Sequence, residues 1–479
     1  MTAQAASRAK PLARVRLIAP AALGETALAA LRTRGITAAA SPTATIADLV
    51  DGEQLAWALE TPPSASAAAE LAPLCARAAE AGRPVCMLAP PPRGSGRAAI
   101  EHAAALAYLR AHGAAIGHDI DAWLEAIAML ARIGMPAGPR VAVIAPPGSW
   151  LHAQAIAIAA EADAAGARAP QLGADKPTDV VLYDAVFGDG GGESTHALRV
   201  PVIARGELSS DDDVSDGALF GLRAALGACD LLGRAAERIA AGLGPAPASA
   251  GAELRTDDRL ADRLGKLVAG NRVGDHETKA LLAGYGVAIT RQAVAMTPSS
   301  AVHKARRAGF PVELKPWGHD VPSEPEGCPV IKNVTSDALV RRAFTQVLAA
   351  AGRAPNQPES AVIVRETPPL GRDVAVQFVR VPALGWTVIV DAGSVIAAAP
   401  APLRNADANA LASSLVASRA ADAEPDRAGL ANILRRASHL VVDLDARLTR
   451  LELPRVVVGG RGSKTVVADA FALLGDGVH

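Results

Sequence analysis

A lysine at the end of a buried strand is the clearest chemical feature of this chain. The stretch from Gly274 to Val334 reads as a short helix, a Gly turn, a strand, a second helix and a strand that ends in Lys315, within AGFPVELKPWGHD. An ammonium group fixed at the carboxyl end of a strand is suited to hold a nucleotide phosphate, because it meets concentrated negative charge there. Lys315 therefore indicates a phosphate-binding site in the second half of the chain.

The bulk composition favours a multidomain α/β protein and disfavours several other classes. A length of 479 residues indicates about three domains. Half of the residues are hydrophobic but only 3% are aromatic, so the cores must be built from Ala, Val, Leu and Ile, which suits helices packed on parallel sheets. The formal net charge of −1 argues against a nucleic-acid-binding protein. The four cysteines and ten histidines show no metal-ligand spacing.

The hydropathy pattern predicts a cytoplasmic protein outside the membrane. The N-terminus has no basic segment followed by an uninterrupted apolar segment, and the chain has no long apolar run without charges. Alternating apolar strands and helical segments predict an α/β domain at 1–138 and a second one at 139–243. A Pro/Ala/Gly-rich linker is predicted at 244–256, and an α+β domain at 257–479.

Two stretches of the sequence resemble the NDP-forming acyl-CoA synthetases. The block from Gly274 onwards is similar to the start of their ATP-grasp domain through Glu277–Lys279, the AGYGV turn that begins at Ala283, and Gly309–Val330. The segment 84–149 is similar to their succinyl-CoA-ligase-like part, with RAAIEH and GPRVAV in register. The order of the two stretches is also that of the family. The chain is thereby identified as a divergent member of this superfamily.

The resemblance implies a fold, a reaction and a set of ligands. The fold would be α/β, with two succinyl-CoA-ligase-like, flavodoxin-like parallel-sheet domains followed by an ATP-grasp-like α+β domain. The reaction would be the ADP-forming joining of a small-molecule carboxylic acid to CoA, with ATP and Mg²⁺ as further ligands. Only about eighty residues precede Pro84 and they contain no GxGxxG turn, so we expect this member to lack the N-terminal CoA-binding domain of the family. A partner subunit could supply that domain, in an oligomer.

The resemblance also assigns roles to individual residues. His102 would carry the phosphoryl group between ATP and the acid, because imidazole is the side chain poised for such chemistry near pH 7. ATP would be held by four residues of the C-terminal block: Lys279, Lys315, Glu366 and Asp373. Asp391, at the start of the segment that matches a family loop at 391–394, would be the metal ligand.

Several family positions carry residues that cannot do the family's chemistry. The family's His-Lys pair falls on Ser323 and Glu324, and a glutamine of its hinge strand falls on Arg365. The Asp and Asn that hold the metal fall on Leu451 and Leu453. Mg²⁺ requires oxygen ligands, which leucine cannot supply. Two interpretations therefore remain open: an active ligase, or a catalytically degenerate nucleotide- or CoA-binding regulatory or structural subunit.

Overall fold

The computed structural model divides the chain into two compact units, Met1–Gly244 and Pro245–His479. It describes residues 14–41, 53–92, 96–164, 169–173, 177–184, 197–203, 218–254, 272–354, 360–391, 396–416, 425–460 and 463–475. The predicted family loop at 392–394 lies outside these residues, as do parts of the predicted linker and the start of the predicted C-terminal domain. The predicted domain boundaries within these two units stay predictions.

The first unit contains two parallel five-stranded sheets. The strands of the first sheet are β1 Arg14–Ile18, β2 Thr37–Ala40, β3 Glu53–Ala58, β4 Cys86–Leu88 and β5 Ala115–Gly117. Those of the second are β6 Val141–Ile144, β7 Gln171–Leu172, β8 Val180–Asp184, β9 Leu198–Ile203 and β10 Leu219–Phe220. The spatial orders are β2-β1-β3-β4-β5 and β7-β6-β8-β9-β10. Both are the flavodoxin-like order, so the predicted fold class of this half is confirmed.

Within the described residues, helices pack on these sheets, and some of them share one buried core with both sheets. The helices are α1 Ala21–Thr33, α2 Ala65–Glu80, α3 Arg97–Ala111, α4 Ile120–Arg132, α5 Trp150–Ala164 and α6 Leu222–Ala241. Helix α4 begins where Asp119 accepts a hydrogen bond from the Ala122 amide at 2.8 Å, which satisfies a free N–H of its first turn. Side chains of α4, α6 and both sheets pack in a single buried cluster. Alanine provides close helix–sheet contact throughout it, as the composition indicated.

The second unit is α+β, with two antiparallel sheets. The six-stranded sheet has the order β11-β20-β19-β16-β17-β18 and the four-stranded sheet the order β12-β15-β13-β14. Their strands are β11 Arg272–Val273, β12 Gln292–Ala295, β13 Val312–Pro316, β14 Ile331–Val334, β15 Val362–Glu366, β16 Gly371–Val381, β17 Gly385–Asp391, β18 Ile396–Pro400, β19 Leu448–Gly459 and β20 Val466–Leu474. The antiparallel pairing of strands such as β16 and β17 confirms the α+β fold class predicted for this half.

The described part of the second unit also contains the helices α7 Asp275–Ala283, α8 Pro298–Ala308, α9 Asp337–Ala350, α10 Asn405–Val416 and α11 Arg427–Asp443. Helices α8 and α9 pack on the four-stranded sheet, whereas α7, α10 and α11 pack on the six-stranded sheet. A short 3-10 helix lies at Ala248–Leu254, within the stretch predicted as a linker. No helix among the described residues is both long enough and apolar enough to cross a membrane.

A buried ion pair in the first unit gives a test of its shared core. The carboxylate of Glu125 on α4 accepts hydrogen bonds from Arg34 Nε and from the Phe220 amide, each at 3.0 Å. Burial raises the pKa of Glu125 more than Arg34 lowers it, so this pair is costly to form. Removal of the Glu125 carboxylate alone nevertheless leaves the buried Arg34 guanidinium without its partner.

We expect Glu125→Gln to lower the free energy of unfolding by about 3–5 kcal/mol. Equilibrium urea unfolding would measure this loss. The control is Glu161→Gln, which removes an exposed carboxylate paired with Arg223 and should cost less than about 1 kcal/mol. Equal losses in the two variants would show that the Glu125 pair does not stabilise the shared core.

Candidate functional site

The first predicted phosphate-binding lysine, Lys279, is fully buried on α7. Its Nζ donates hydrogen bonds to Thr290 Oγ1 and Gln292 Oε1, each at 3.1 Å, and to the Ala468 carbonyl at 2.6 Å. It also lies 3.2 Å from Asp275 Oδ1, one helical turn earlier. Burial lowers the pKa of Lys279 to about 8, although Asp275 acts in the opposite direction. All the donors of this ammonium group are therefore used inside the protein.

The second lysine, Lys315, lies near the end of β13, as predicted, and is held between two carboxylates. Its Nζ is 2.7 Å from Asp469 Oδ1 on β20 and 3.0 Å from Asp275 Oδ2 on α7. Burial works against the charged amine, but the two carboxylates outweigh it and raise the pKa of Lys315. Burial would likewise raise the pKa of Asp275, yet Lys279 and Lys315 lower it well below its usual range. Lys315 and Asp275 are therefore both charged near neutral pH.

A buried arginine extends this arrangement across the four-stranded sheet. Arg365 on β15 donates from Nε and Nη2 to Glu313 on β13, at 2.9 and 2.6 Å. Its Nη1 donates to the Ala468 carbonyl at 2.6 Å, and its Nη2 also contacts Glu324. Despite burial, Glu324 and Glu313 raise the pKa of Arg365. Arg365 is a permanent cation that two carboxylates neutralise.

Glu324 forms ion pairs with three basic residues. It begins a 3-10 turn, Glu324–Glu326, in which Ser323 and Glu326 form a reciprocal capping box. Its carboxylate lies 3.2 Å from Lys332 Nζ and 3.5 Å from Arg455 Nη1, in addition to its contact with Arg365. Burial would raise the pKa of Glu324, but Arg365 and more distant cations lower it to about 2.

These side chains form two sets of ion pairs, one around Asp275 and one around Glu324, which are together called the charge network below. Two backbone groups connect the sets: the Glu324 amide donates to Asp469 Oδ2, and the Ala468 carbonyl accepts from both Lys279 and Arg365. The network contains five basic and five acidic residues: Lys279, Lys315, Lys332, Arg365, Arg455, Asp275, Glu313, Glu324, Asp373 and Asp469. It connects α7, both sheets and the 3-10 turn, and its formal charges cancel. The adjoining pocket, lined by Asp275, Lys315 and Asp469, has a volume of about 10 Å³, which is room for roughly one water molecule.

The network brings together three of the four residues predicted to hold ATP. Lys279 and Lys315 share Asp275, and the exposed Asp373 joins through Arg455, which lies 3.0 Å from it. Glu366, at the end of β15, instead pairs with Arg291, whose amide and Nε donate to it at 2.8 and 2.5 Å. The Glu366 carboxylate, which was expected to contact the nucleotide, is thus paired with Arg291 at the end of β15.

The predicted metal ligand, Asp391, lies at the end of β17. Three strand spacings of about 4.8 Å separate β17 from β20, which carries Asp469, so these two carboxylates belong to different parts of the sheet. Leu451 and Leu453, at the expected metal-ligand positions, are buried in the core of β19. Among the described residues no group of three or more His, Cys, Asp or Glu could hold a metal ion.

His102, the predicted phosphoryl carrier, lies inside α3 and is 7% exposed. Its Nε2 has no hydrogen-bond partner among the described residues. Burial lowers the pKa of His102, with smaller effects from His118 and Arg110. Glu101 turns away to pair with Arg97 at 2.8 Å. The imidazole is therefore largely neutral near pH 7, but it is covered.

The sequence analysis missed the acidic partners of the network. Asp469 interrupts the apolar strand VVADAFALL, and an isolated carboxylate in such a strand is a signal for a buried counter-ion. Glu324 and Arg365 were each noted as departures from the family pattern. They change charge in opposite directions and contact each other in the structure. The ion pair between Glu324 and Arg365 could have been inferred from the opposite charges of these two substitutions.

Comparison with known proteins assigns the second unit to a family of domains. Residues 269–472 match the ATP-grasp domain family. The chain is 22% identical over 213 residues to the acetate–CoA ligase [ADP-forming] II subunit beta of Pyrococcus furiosus, covering 42% of this chain and 90% of that one. It is 35% identical over 74 residues to the acetate–CoA ligase [ADP-forming] II of Archaeoglobus fulgidus, covering 15% of this chain and only 11% of that one.

Solved structures also match part of the chain. A Ca. Korarchaeum cryptofilum dinucleotide-forming acetyl-coenzyme A synthetase 1, solved in complex with coenzyme A, Ca-AMPCP and HgCl⁺, is 24% identical. The match covers 46% of this chain and 100% of that chain, with a TM-score of 0.41.

The network predicts a structural role for Lys315, and this prediction can be tested without nucleotide. We expect Lys315→Met to lower the free energy of unfolding by about 3–5 kcal/mol, because it leaves Asp469 and Asp275 short of a buried counter-ion. The control is Lys332→Met, whose side chain is 51% exposed and which should cost less than about 1 kcal/mol. Urea unfolding measures both. A neutral or stabilising Lys315→Met would contradict the structural role.

The low pKa of Glu324 predicts an acid-dependent loss of stability. Its folded-state pKa of about 2 lies below the ordinary value of 4.5, so the stabilisation is complete above about pH 4.5 and disappears as the pH falls towards 2. The difference in urea midpoint between the unmodified protein and Glu324→Gln should therefore shrink over this range. A difference that stays constant from pH 6 to pH 2.5 would exclude the linkage.

Proposed function

Because residues 269–472 carry an ATP-grasp domain related to those of ADP-forming acetate–CoA ligases, we propose that this chain is a catalytically degenerate relative of these ligases. It acts as a structural or regulatory subunit and does not transfer phosphoryl groups. The observation that carries this proposal is the neutralisation of Lys279 and Lys315 by Asp275 and Asp469.

The electrostatics of the charge network support the proposal. A triphosphate must find cations whose charge is available, since it is costly to bring several negative charges into a buried site. Here each lysine already has a carboxylate within 3.2 Å, and the network is neutral. A nucleotide would have to displace Asp275 and Asp469 from the lysines, which leaves two buried carboxylates without partners. The small volume of the adjoining pocket also disfavours the binding of a nucleotide.

The positions of the predicted catalytic groups support it further. Mg²⁺ takes carboxylate and amide oxygens, and it neutralises the phosphoryl group during transfer. Leu451 and Leu453 supply only methyl groups to the core at the corresponding positions. His102 would need to reach both a nucleotide and an acid, yet its ring is covered inside a helix. The chain therefore keeps the packing of the domain without its reactive groups.

Such a subunit would work together with a second chain. The Pyrococcus furiosus relative is itself named a beta subunit. In the proposed assembly the partner binds CoA, Mg-ATP and the carboxylic acid, and this chain supplies folded surfaces to it. The proposed location is the cytoplasm, where such substrates occur.

An active ligase is the second candidate, and the unpartnered Nε2 of His102 is the observation that favours it. In that case ATP would phosphorylate this histidine and leave ADP. The phosphoryl group would pass to the acid carboxylate, and CoA thiol would displace phosphate from the acyl phosphate to give acyl-CoA. His102 would have to leave its covered position for both transfers.

Incubation with radiolabelled ATP and Mg²⁺ decides between the two candidates. The proposal predicts no acid-labile, base-stable label on the chain and no rise in melting temperature at millimolar Mg-ATP. A nucleotide bound at about 100 times its Kd would add roughly 2.7 kcal/mol, which a melting curve readily detects. The Pyrococcus furiosus relative, with its partner, is the positive control. Label that is lost in His102→Ala would overturn the proposal and establish the active ligase.

A further inference from the structure

The carboxylate of Glu324 lies among three basic side chains. Arg365 belongs to β15, Lys332 to β14 and Arg455 to β19, so the cations are fixed by both sheets. Glu324 comes from the segment 317–330, which connects β13 with β14 outside either sheet. The cations therefore belong to the rigid part of the domain, and their counter-ion is delivered by a connection.

The segment 317–330 holds its own shape without the Glu324 carboxylate. Ser323 N donates to Glu326 Oε2 at 2.8 Å, and the Cys328 amide donates to the Ser323 carbonyl at 3.1 Å. Asp320 pairs with Arg353 at 2.6 Å. The turn is thus preformed, and it presents a single charged group to the three cations in the manner of a bound ligand.

The charges identify the chemistry that Glu324 replaces. With Glu324 removed, the network keeps five basic and four acidic residues, an excess of one positive charge. Two guanidinium groups face the position, and their planar forks match carboxylate and phosphate oxygens. Lys332 is half exposed, so the position lies close to solvent.

We propose that Glu324 is an intramolecular anion that masks a binding site for a singly charged oxyanion group, formed by Arg365, Lys332 and Arg455. The segment 317–330 is then an autoinhibitory plug, and its displacement opens the site to a carboxylate or a phosphate group. This inference goes beyond the proposed function and does not depend on it. Failure of either can be recognised separately, because one test uses Mg-ATP and the other small oxyanions.

Chemical rescue tests the masked site. Glu324→Ala removes the carboxylate and leaves space for a small anion, and we expect a lowered melting temperature. Sodium formate at about five times its Kd should restore about 2–4 °C relative to sodium chloride of equal ionic strength. Glu324→Gln fills the same space and should gain nothing. A parallel titration with inorganic phosphate distinguishes the two kinds of oxyanion: rescue by formate alone identifies a carboxylate site, and rescue by phosphate identifies a phosphate site.

The matched control is Asp337→Ala, which removes an exposed carboxylate paired with Arg306 elsewhere in the same unit. It should not respond to either anion beyond the response to chloride. The same response in Asp337→Ala and Glu324→Ala, or no response in a folded Glu324→Ala, would overturn the proposal.

Hydrogen exchange of the unmodified protein gives a second test that does not require a variant to fold. Formate that competes with Glu324 should displace the turn. Protection of the Glu324 amide, which donates to Asp469 Oδ2 at 2.8 Å, should then fall with formate concentration. Protection of the β16–β17 pair should stay unchanged. Unaltered protection of the Glu324 amide at saturating formate and phosphate would contradict the plug.

Discussion

The second unit depends on the requirement that buried charges be matched. Ten ionised side chains lie along the region where its two sheets and α7 meet, and removal of any buried member leaves a charge in a medium that solvates it poorly. The charges support each other: the two lysines lower the pKa of Asp275, and Asp275 and Asp469 act to raise the pKa of each lysine. A ligand can enter only by replacing a carboxylate. Under the proposed function, the constraint that stabilises the fold is also what keeps a nucleotide out.

The departures from the family pattern acquire a common explanation from this constraint. Arg365 and Glu324 replace a glutamine and a lysine, and they neutralise each other. Leu451 and Leu453 replace oxygen ligands with apolar side chains that pack in the sheet core. Each substitution exchanges a group that would face a ligand for one that is satisfied inside the protein. In the proposed degenerate subunit, such replacements keep the cations of the domain paired when no nucleotide is bound.

The sequence predicted much of the fold and less of the site. The strand predicted to end at Lys315 is β13 Val312–Pro316, because the apolar pattern that marks a buried strand is a local property of the sequence. The ion pairs are different, because Lys315 and Asp469 are separated by 154 residues and only the folded chain brings them together. Lys315 was correctly placed on its strand and its role as a phosphate ligand stays a prediction, whereas no local pattern reports that a distant carboxylate lies beside it.

The most direct test is a double-mutant cycle between Lys315 and Asp469, measured by urea unfolding with and without Mg-ATP. Lys315→Met, Asp469→Leu and the double variant give the coupling free energy of the pair. The account predicts a coupling above about 2 kcal/mol that is the same in both conditions, since the partner of Lys315 is Asp469 and not a nucleotide. Additive losses, or a coupling that Mg-ATP abolishes while it stabilises the unmodified protein, would contradict it.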